Sequence, residues 1–215
     1  MAVAKTLHID PREPEARLVE EALSVLRRDG IVAYPTETFY GLAVDPRSPL
    51  ACDRLFDLKG RPPEKALPVI VSGIPQLERV ARDLGKEALL LARRFWPGPL
   101  TLVVLAKPGL AAASPEGTIA VRASGLPLPR ILAEALGAPL TATSANRSGS
   151  PPATTADMAL HDLGSGVDLI LDGGPCPGGL PSTIIDVRES PPRLIREGKV
   201  PFAEIEGVLK ELSPP

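Results

Sequence analysis

Leu58-Lys59-Gly60-Arg61-Pro62-Pro63-Glu64-Lys65, followed at once by the apolar run 66–71, is the stretch around which the chain is organised. Three cations fall within seven residues, and Gly60, Pro62 and Pro63 keep the segment out of a helix. The apolar run reads as a strand, which anchors the loop at its far end. Cations on a stiff loop above a sheet suit a polyphosphate, because little freedom remains to be lost on binding. A lone K-x-R is more often a solvated basic turn, so the remaining sequence has to decide.

Toward the N-terminus, residues 49–58 read as the helix that delivers this loop, with Leu50, Leu55, Phe56 and Leu58 available for burial. Residues 31–34 form a buried strand running into Pro35-Thr36-Glu37-Thr38-Phe39-Tyr40-Gly41-Leu42. Two threonine hydroxyls and a carboxylate at the C-terminal end of a strand sit where α/β folds place ligands. Capping of a following turn by Thr36 or Thr38 explains them equally well. Further back, residues 14–28 carry Leu18, Ala22, Val25 and Leu26 on one helical face, closed by Asp29-Gly30, and residues 5–9 read as a first strand.

Toward the C-terminus the pattern predicts helices over 74–81 and 86–96 and strands over 100–106 and 118–121, with Arg122 at the end of the second strand. An arginine there is more often a surface ion pair than a ligand. A helix over 128–136 precedes a strand over 139–142, which runs into Thr143-Ser144-Ala145-Asn146-Arg147-Ser148-Gly149. Those hydroxyls, the amide and the glycine suit phosphate or ribose, although Ser and Asn also belong in any turn. Asn146 is the only asparagine in the chain. A helix over 155–163, strands over 169–172, 182–187 and 193–196, and a last helix over 201–212 follow, with Arg196 at a strand end. Several strands succeed one another without an intervening helix. The expectation is therefore α/β with a mixed rather than fully parallel sheet.

Composition narrows the function. At 215 residues the length suits one domain with a substantial core. A net charge of -2 argues against tight nonspecific nucleic-acid binding. Cys52 and Cys176 lie far apart and suit a reducing compartment. Residues 1–10 hold no signal-peptide core, and no run of about 18 apolar residues occurs, so a soluble, cytoplasmic protein with no membrane partner is expected. Proline is abundant at 26 while Gln76 and Asn146 are single, a bias shared by heat-adapted proteins and by GC-rich coding.

His8 and His161 are the only histidines and neither lies near a candidate site, which disfavours Ser-His-Asp and Cys-His mechanisms. No Cys/His cluster has metal-ligand spacing, and no P-loop, complete dinucleotide fingerprint or nucleophile elbow occurs. What remains is a set of cations (Lys59, Arg61, Lys65, Arg122, Arg196) and of hydroxyl or amide groups (Thr36, Thr38, Thr143, Ser144, Asn146, Ser182, Thr183). Such groups handle an anionic ligand by positioning and charge neutralisation, and nucleotidyl transfer is the natural reaction class.

Taken in order, Tyr34-Pro35-Thr36-Glu37-Thr38-Phe39-Tyr40-Gly41-Leu42, Lys59-Gly60-Arg61-Pro62, Phe95-Trp96-Pro97-Gly98-Pro99-Leu100-Thr101, Val121-Arg122, Thr143-Ser144-Ala145-Asn146, Ser182-Thr183-Ile184-Ile185-Asp186 and Ile195-Arg196-Glu197-Gly198 resemble the YrdC/TsaC family of threonylcarbamoyl-AMP synthases. The likeness spans about residues 18–198 and implies a single YrdC-like domain over 1–215. It implies a twisted mixed parallel/antiparallel sheet with flanking helices and a concave basic cavity. It also implies condensation of L-threonine, bicarbonate and ATP, with Mg²⁺ carried by the phosphates rather than by the protein. The products are threonylcarbamoyl-AMP and pyrophosphate, the former feeding a transferase complex that makes N6-threonylcarbamoyladenosine in tRNA.

By the same likeness Lys59 and Arg61 are the catalytic cations, and Lys65, Arg122, Ser144, Asn146 and Arg196 join them around ATP. Thr36, Thr38, Thr143 and Ser182 fall near threonine. Lys59→Ala and Arg61→Ala are expected to leave the fold intact and to remove most activity. Ile70 stands where some members carry a histidine beside threonine, and Lys65 where some carry asparagine. Two other functions remain open. One is a double-stranded RNA or tRNA-binding module with weak tRNA affinity, disfavoured by the net charge and by only seven aromatic residues. The other is a carbamoyl-adenylate-forming domain of the hydrogenase-maturation type.

Overall fold

Short apolar runs alternate with helices and build two mixed sheets in the computed structural model, which describes residues 4–60 and 66–212. In chain order these are β1 (Lys5–His8), α1 (Ala16–Leu26), β2 (Val32–Tyr34), β3 (Gly41–Ala43), α2 (Pro49–Lys59), β4 (Val69–Ile70) and α3 (Ile74–Val80). Next come β5 (Ala81–Arg82), α4 (Lys86–Phe95), β6 (Leu100–Ala106), β7 (Thr118–Arg122), α5 (Pro127–Leu136), β8 (Leu140–Thr141) and β9 (Thr143–Ser144). The remainder is α6 (Ala156–Leu163), β10 (Leu169–Asp172), β11 (Thr183–Asp186), β12 (Arg193–Arg196) and α7 (Phe202–Lys210).

The first sheet runs β1-β10-β2-β3-β9, parallel through β2 and antiparallel beyond it. The second runs β12-β11-β6-β7-β4-β8, with β5 added beside β6. In it β11–β6 and β7–β4 are parallel, and the other pairs are antiparallel. The expected single mixed sheet is thus two. The strand foreseen over 139–142 stops at Thr141 and resumes one residue later as β9 in the other sheet. The chain changes sheets at Ala142.

Local chemistry explains the helices that matter here. In α1, Leu18, Val19, Ala22, Leu23 and Leu26 make one buried stripe. Together with Leu128 and Leu132 of α5 this stripe forms a core cluster against Val32, Leu140 and Leu169. Helix α2 begins at Ser48, whose side chain accepts the Ala51 N–H, and ends where Gly60 takes a left-handed φ of 60°. A second cluster joins Leu55 of α2, Leu91 of α4 and Ile205 of α7 to Leu102 and Val121.

Three buried polar contacts tie the sheets together. The Thr141 hydroxyl donates to Leu42 O (2.9 Å) and accepts from Val44 N (2.9 Å). The Tyr34 hydroxyl donates to Thr141 O (2.9 Å). Beyond β2, the Glu37 carboxylate accepts from Arg122 Nη1 at the end of β7 and from the Ser124 hydroxyl. Burial alone would raise the Glu37 pKa, but Arg122, Ser124 and nearby backbone N–H groups outweigh it and hold the carboxyl below its usual range.

Two predictions concern stability. A Cβ on Gly198 would lie 2.2 Å from Pro181 O, whereas one on Gly207 of α7 meets nothing within 4 Å. Gly198→Ala should therefore cost about 1–3 kcal/mol, and Gly207→Ala should gain about 0.5–1 kcal/mol. Urea unfolding of both variants checks this, and equal midpoints would contradict it. Because the folded pKa of Glu37 is depressed, its contribution exists above the unfolded carboxylate pKa of about 4.3 and is lost as pH falls through the folded value. The urea midpoint should drop below about pH 4, and Glu37→Gln, costing about 3–5 kcal/mol at neutral pH, should flatten that drop. An unchanged acid slope would contradict the pairing.

Candidate active site

A cavity of about 690 Å³ is lined by residues of both sheets. That size lies within the roughly 300–1,000 Å³ of small-ligand clefts. From the first sheet come Gly41 on β3 and Thr143 and Ser144 on β9, placed by the Gly41↔Ser144 and Leu42↔Thr143 register. From the second, Thr101, Ile184 and Arg196 occupy one row across β6, β11 and β12. A residue in that row shares the face of its neighbours, which is why Arg196 reaches a cavity that also touches β6. Arg122, at the C-terminal end of β7, closes the ring.

The hydroxyls are held in defined geometry. Thr36 Oγ1 donates to Phe39 O (2.7 Å), accepts from the N–H groups of Thr38 (3.2 Å) and Phe39 (3.3 Å), and lies 3.2 Å from Thr38 Oγ1. Thr36 therefore caps its turn, and it lines the cavity beside Thr38 as well. Ser182 Oγ lies 2.8 Å from Thr101 Oγ1, and Arg196 Nη2 donates to Ser182 O (3.0 Å). Among the described residues no carboxylate forms an ion pair with Arg196, while Arg122 is paired with Glu37 and its side chain is only 11% exposed. The cavity is thus rich in donors, but one of the two arginines lining it among the described residues already has a counter-charge.

Thr36, Thr38, Arg122, Thr143, Ser144, Ser182 and Arg196 all line this one cavity. Arg61 and Lys65 lie outside the described residues. Lys59 and Asn146 sit behind the wall. Lys59 is 5% exposed at the last turn of α2, and its ammonium donates to Ser144 O (2.6 Å) and Asn146 O (2.7 Å). This cation thus braces the 144–146 segment, which gives Lys59→Ala an expected stability cost that the sequence alone did not suggest. Asn146 Nδ2 donates to Arg147 O (2.9 Å) and Ser150 O (2.6 Å), and its Oδ1 is buried without a partner among the described residues. Ile70 is fully buried in the α1–α5 cluster and is not among the residues lining the cavity.

Ser124 was not singled out from sequence, and Glu37 and Thr101 were read only within their motifs, without a role of their own. Thr101 had a signal, a hydroxyl alternating with the buried Leu100 and Leu102 along β6. Nothing local could pair Glu37 with Arg122, 85 residues away. Cys176 and Cys52 are buried free thiols, and burial pushes Cys176 up to about 11, which leaves little thiolate. Among the described residues no group of three His, Cys, Asp or Glu side chains could hold a metal, and no helix is long and apolar enough to cross a membrane.

Comparison with known proteins identifies the family. A family model for Sua5, YciO and YrdC proteins, described as "Telomere recombination", matches residues 24–198. A Pyrococcus abyssi protein named threonylcarbamoyl-AMP synthase is 39% identical over 96% of this chain, which spans 62% of its length. A Vibrio parahaemolyticus protein of the same name is 36% identical over 83% of this chain and 98% of its own. The crystal structure of Pyrococcus abyssi Sua5 complexed with L-threonine superposes with a TM-score of 0.89 at 36% identity, covering 96% of this chain and 61% of that one. The chain belongs to the Sua5/YciO/YrdC family.

Proposed function

We propose that this chain is an L-threonylcarbamoyladenylate synthase, a nucleotidyltransferase that condenses L-threonine, bicarbonate and ATP to threonylcarbamoyl-AMP and pyrophosphate. The observation that carries this reading is the gathering of Arg122, Arg196 and six serine and threonine hydroxyls from both sheets around one cavity. The names of the relatives and the threonine complex of the Pyrococcus protein support it.

The threonine amine takes up CO₂ from bicarbonate as an N-carboxylate, with loss of water. An oxygen of that carboxylate attacks the α-phosphorus of ATP, and the bond to the β-phosphate oxygen breaks to release pyrophosphate. Thr36, Thr38, Thr143 and Ser182 orient threonine. Ser144, Arg122, Arg196, Lys65 and the catalytic Arg61 receive the nucleotide, and Lys59 and Asn146 position it through the 144–150 segment that they brace. Positioning and charge neutralisation suffice for such a transfer, which needs no protein nucleophile. The donor set suits phosphate oxygens rather than a bare cation, so Mg²⁺ would enter with the phosphates and would supply charge neutralisation there. The reading also covers one domain over 1–215, a cytoplasmic setting, a transferase complex that consumes the adenylate, and weak tRNA contact.

Mass spectrometry of reactions with the purified protein tests this. A threonylcarbamoyl adenylate should form with ATP, threonine and bicarbonate in the absence of RNA. Its absence, or adenylate formation from carbamoyl phosphate but not from threonine, would contradict the reading. Arg196→Ala should lower kcat/KM by about 10²–10³-fold with an unchanged unfolding midpoint. Lys59→Ala should lower activity and also stability, by about 2–4 kcal/mol, since two buried carbonyls lose a charged donor. Wild-type stability of Lys59→Ala would refute its place behind the wall.

A further inference from the structure

We infer, on the reading above, that Glu37 is a positioning residue: it fixes the Arg122 guanidinium toward the ligand before the ligand arrives. Arg122 lines the cavity and Glu37 does not, so the carboxylate grips the guanidinium from behind. The grip is itself secured. The Ser124 hydroxyl, fully buried, donates to the second carboxylate oxygen, and the Gly125 backbone adds a further hydrogen bond. One carboxylate from the loop after β2 thus gathers three groups of the 122–125 segment.

A guanidinium presents five donors in a rigid plane on a long flexible stem. With Nη1 committed to Glu37, the plane is set and the stem immobilised, so its remaining donors meet a ligand without further ordering.

Titration calorimetry with ATP and with L-threonine, on wild type, Glu37→Gln, Arg122→Lys and the double variant, tests the inference. Arg122→Lys identifies the substrate that Arg122 holds. Glu37→Gln should weaken the same substrate by about tenfold and leave the other within about twofold. The double variant should bind no worse than Arg122→Lys alone, because two residues acting as one unit are not additive. Ser124→Ala keeps the ion pair and should weaken that same substrate more mildly. If Glu37→Gln does not fold, Ser124→Ala decides alone. Wild-type affinities in the folded variants, weakening of the other substrate, or additive losses would each overturn the inference. A wild-type protein that binds both ligands but forms no adenylate would sink the proposed reaction and leave this inference standing on the affinities.

Discussion

The structure depends on one change of direction, the passage of the chain from the second sheet to the first at Ala142. Leu140 and Thr141 pair with β4, and Thr143 and Ser144 pair with β3, with a single residue between. So abrupt a transfer would leave backbone groups of both sheets without partners, each costly when buried. The Thr141 side chain prevents this by serving Leu42 O and Val44 N together, and Ala142 N donates to Pro68 O at 2.7 Å. A serine or threonine is the residue type that can bridge an acceptor and a donor in so small a space.

The cavity follows from that passage. Once β9 lies in one sheet and β8 in the other, their faces diverge, and the gap is bounded by β3 and β9 on one side and by β6, β7, β11 and β12 on the other. The walls then receive whatever the strand ends carry. Here these are hydroxyls and arginines, carried by the strands themselves at Thr101, Arg122, Thr143, Ser144 and Arg196 and by adjoining turns at Thr36, Thr38 and Ser182. Lys59 reinforces the far side of the same corner by clasping Ser144 and Asn146 from the end of α2. The fold and the site therefore share polar contacts, and a substitution such as Lys59→Ala touches both.

Much of this was legible in the sequence, for physical reasons that differ between elements. The strands over 100–106 and 169–172 were predicted with the bounds observed, since apolar runs between turn residues leave little ambiguity, and so was the short strand over 193–196. The strands β3, β5 and β9, of two or three residues, left no periodic signal and were missed. The split into two sheets was hidden with them. Candidate site residues were found by type and by their place at strand ends, and seven of them line one cavity. Their roles were harder to read. Lys59 reads from sequence as a loop cation meeting phosphate, because nothing local reveals that two carbonyls from 85 and 87 residues away accept from it.

The most direct test of the account is a crystal structure with L-threonine and a non-hydrolysable ATP analogue. Both ligands should occupy the cavity between the sheets, the polyphosphate within hydrogen-bond reach of Arg196 or Arg122 and the amino acid beside Ser182 and Thr36. A nucleotide bound on another face, with the inter-sheet cavity left to solvent, would contradict it.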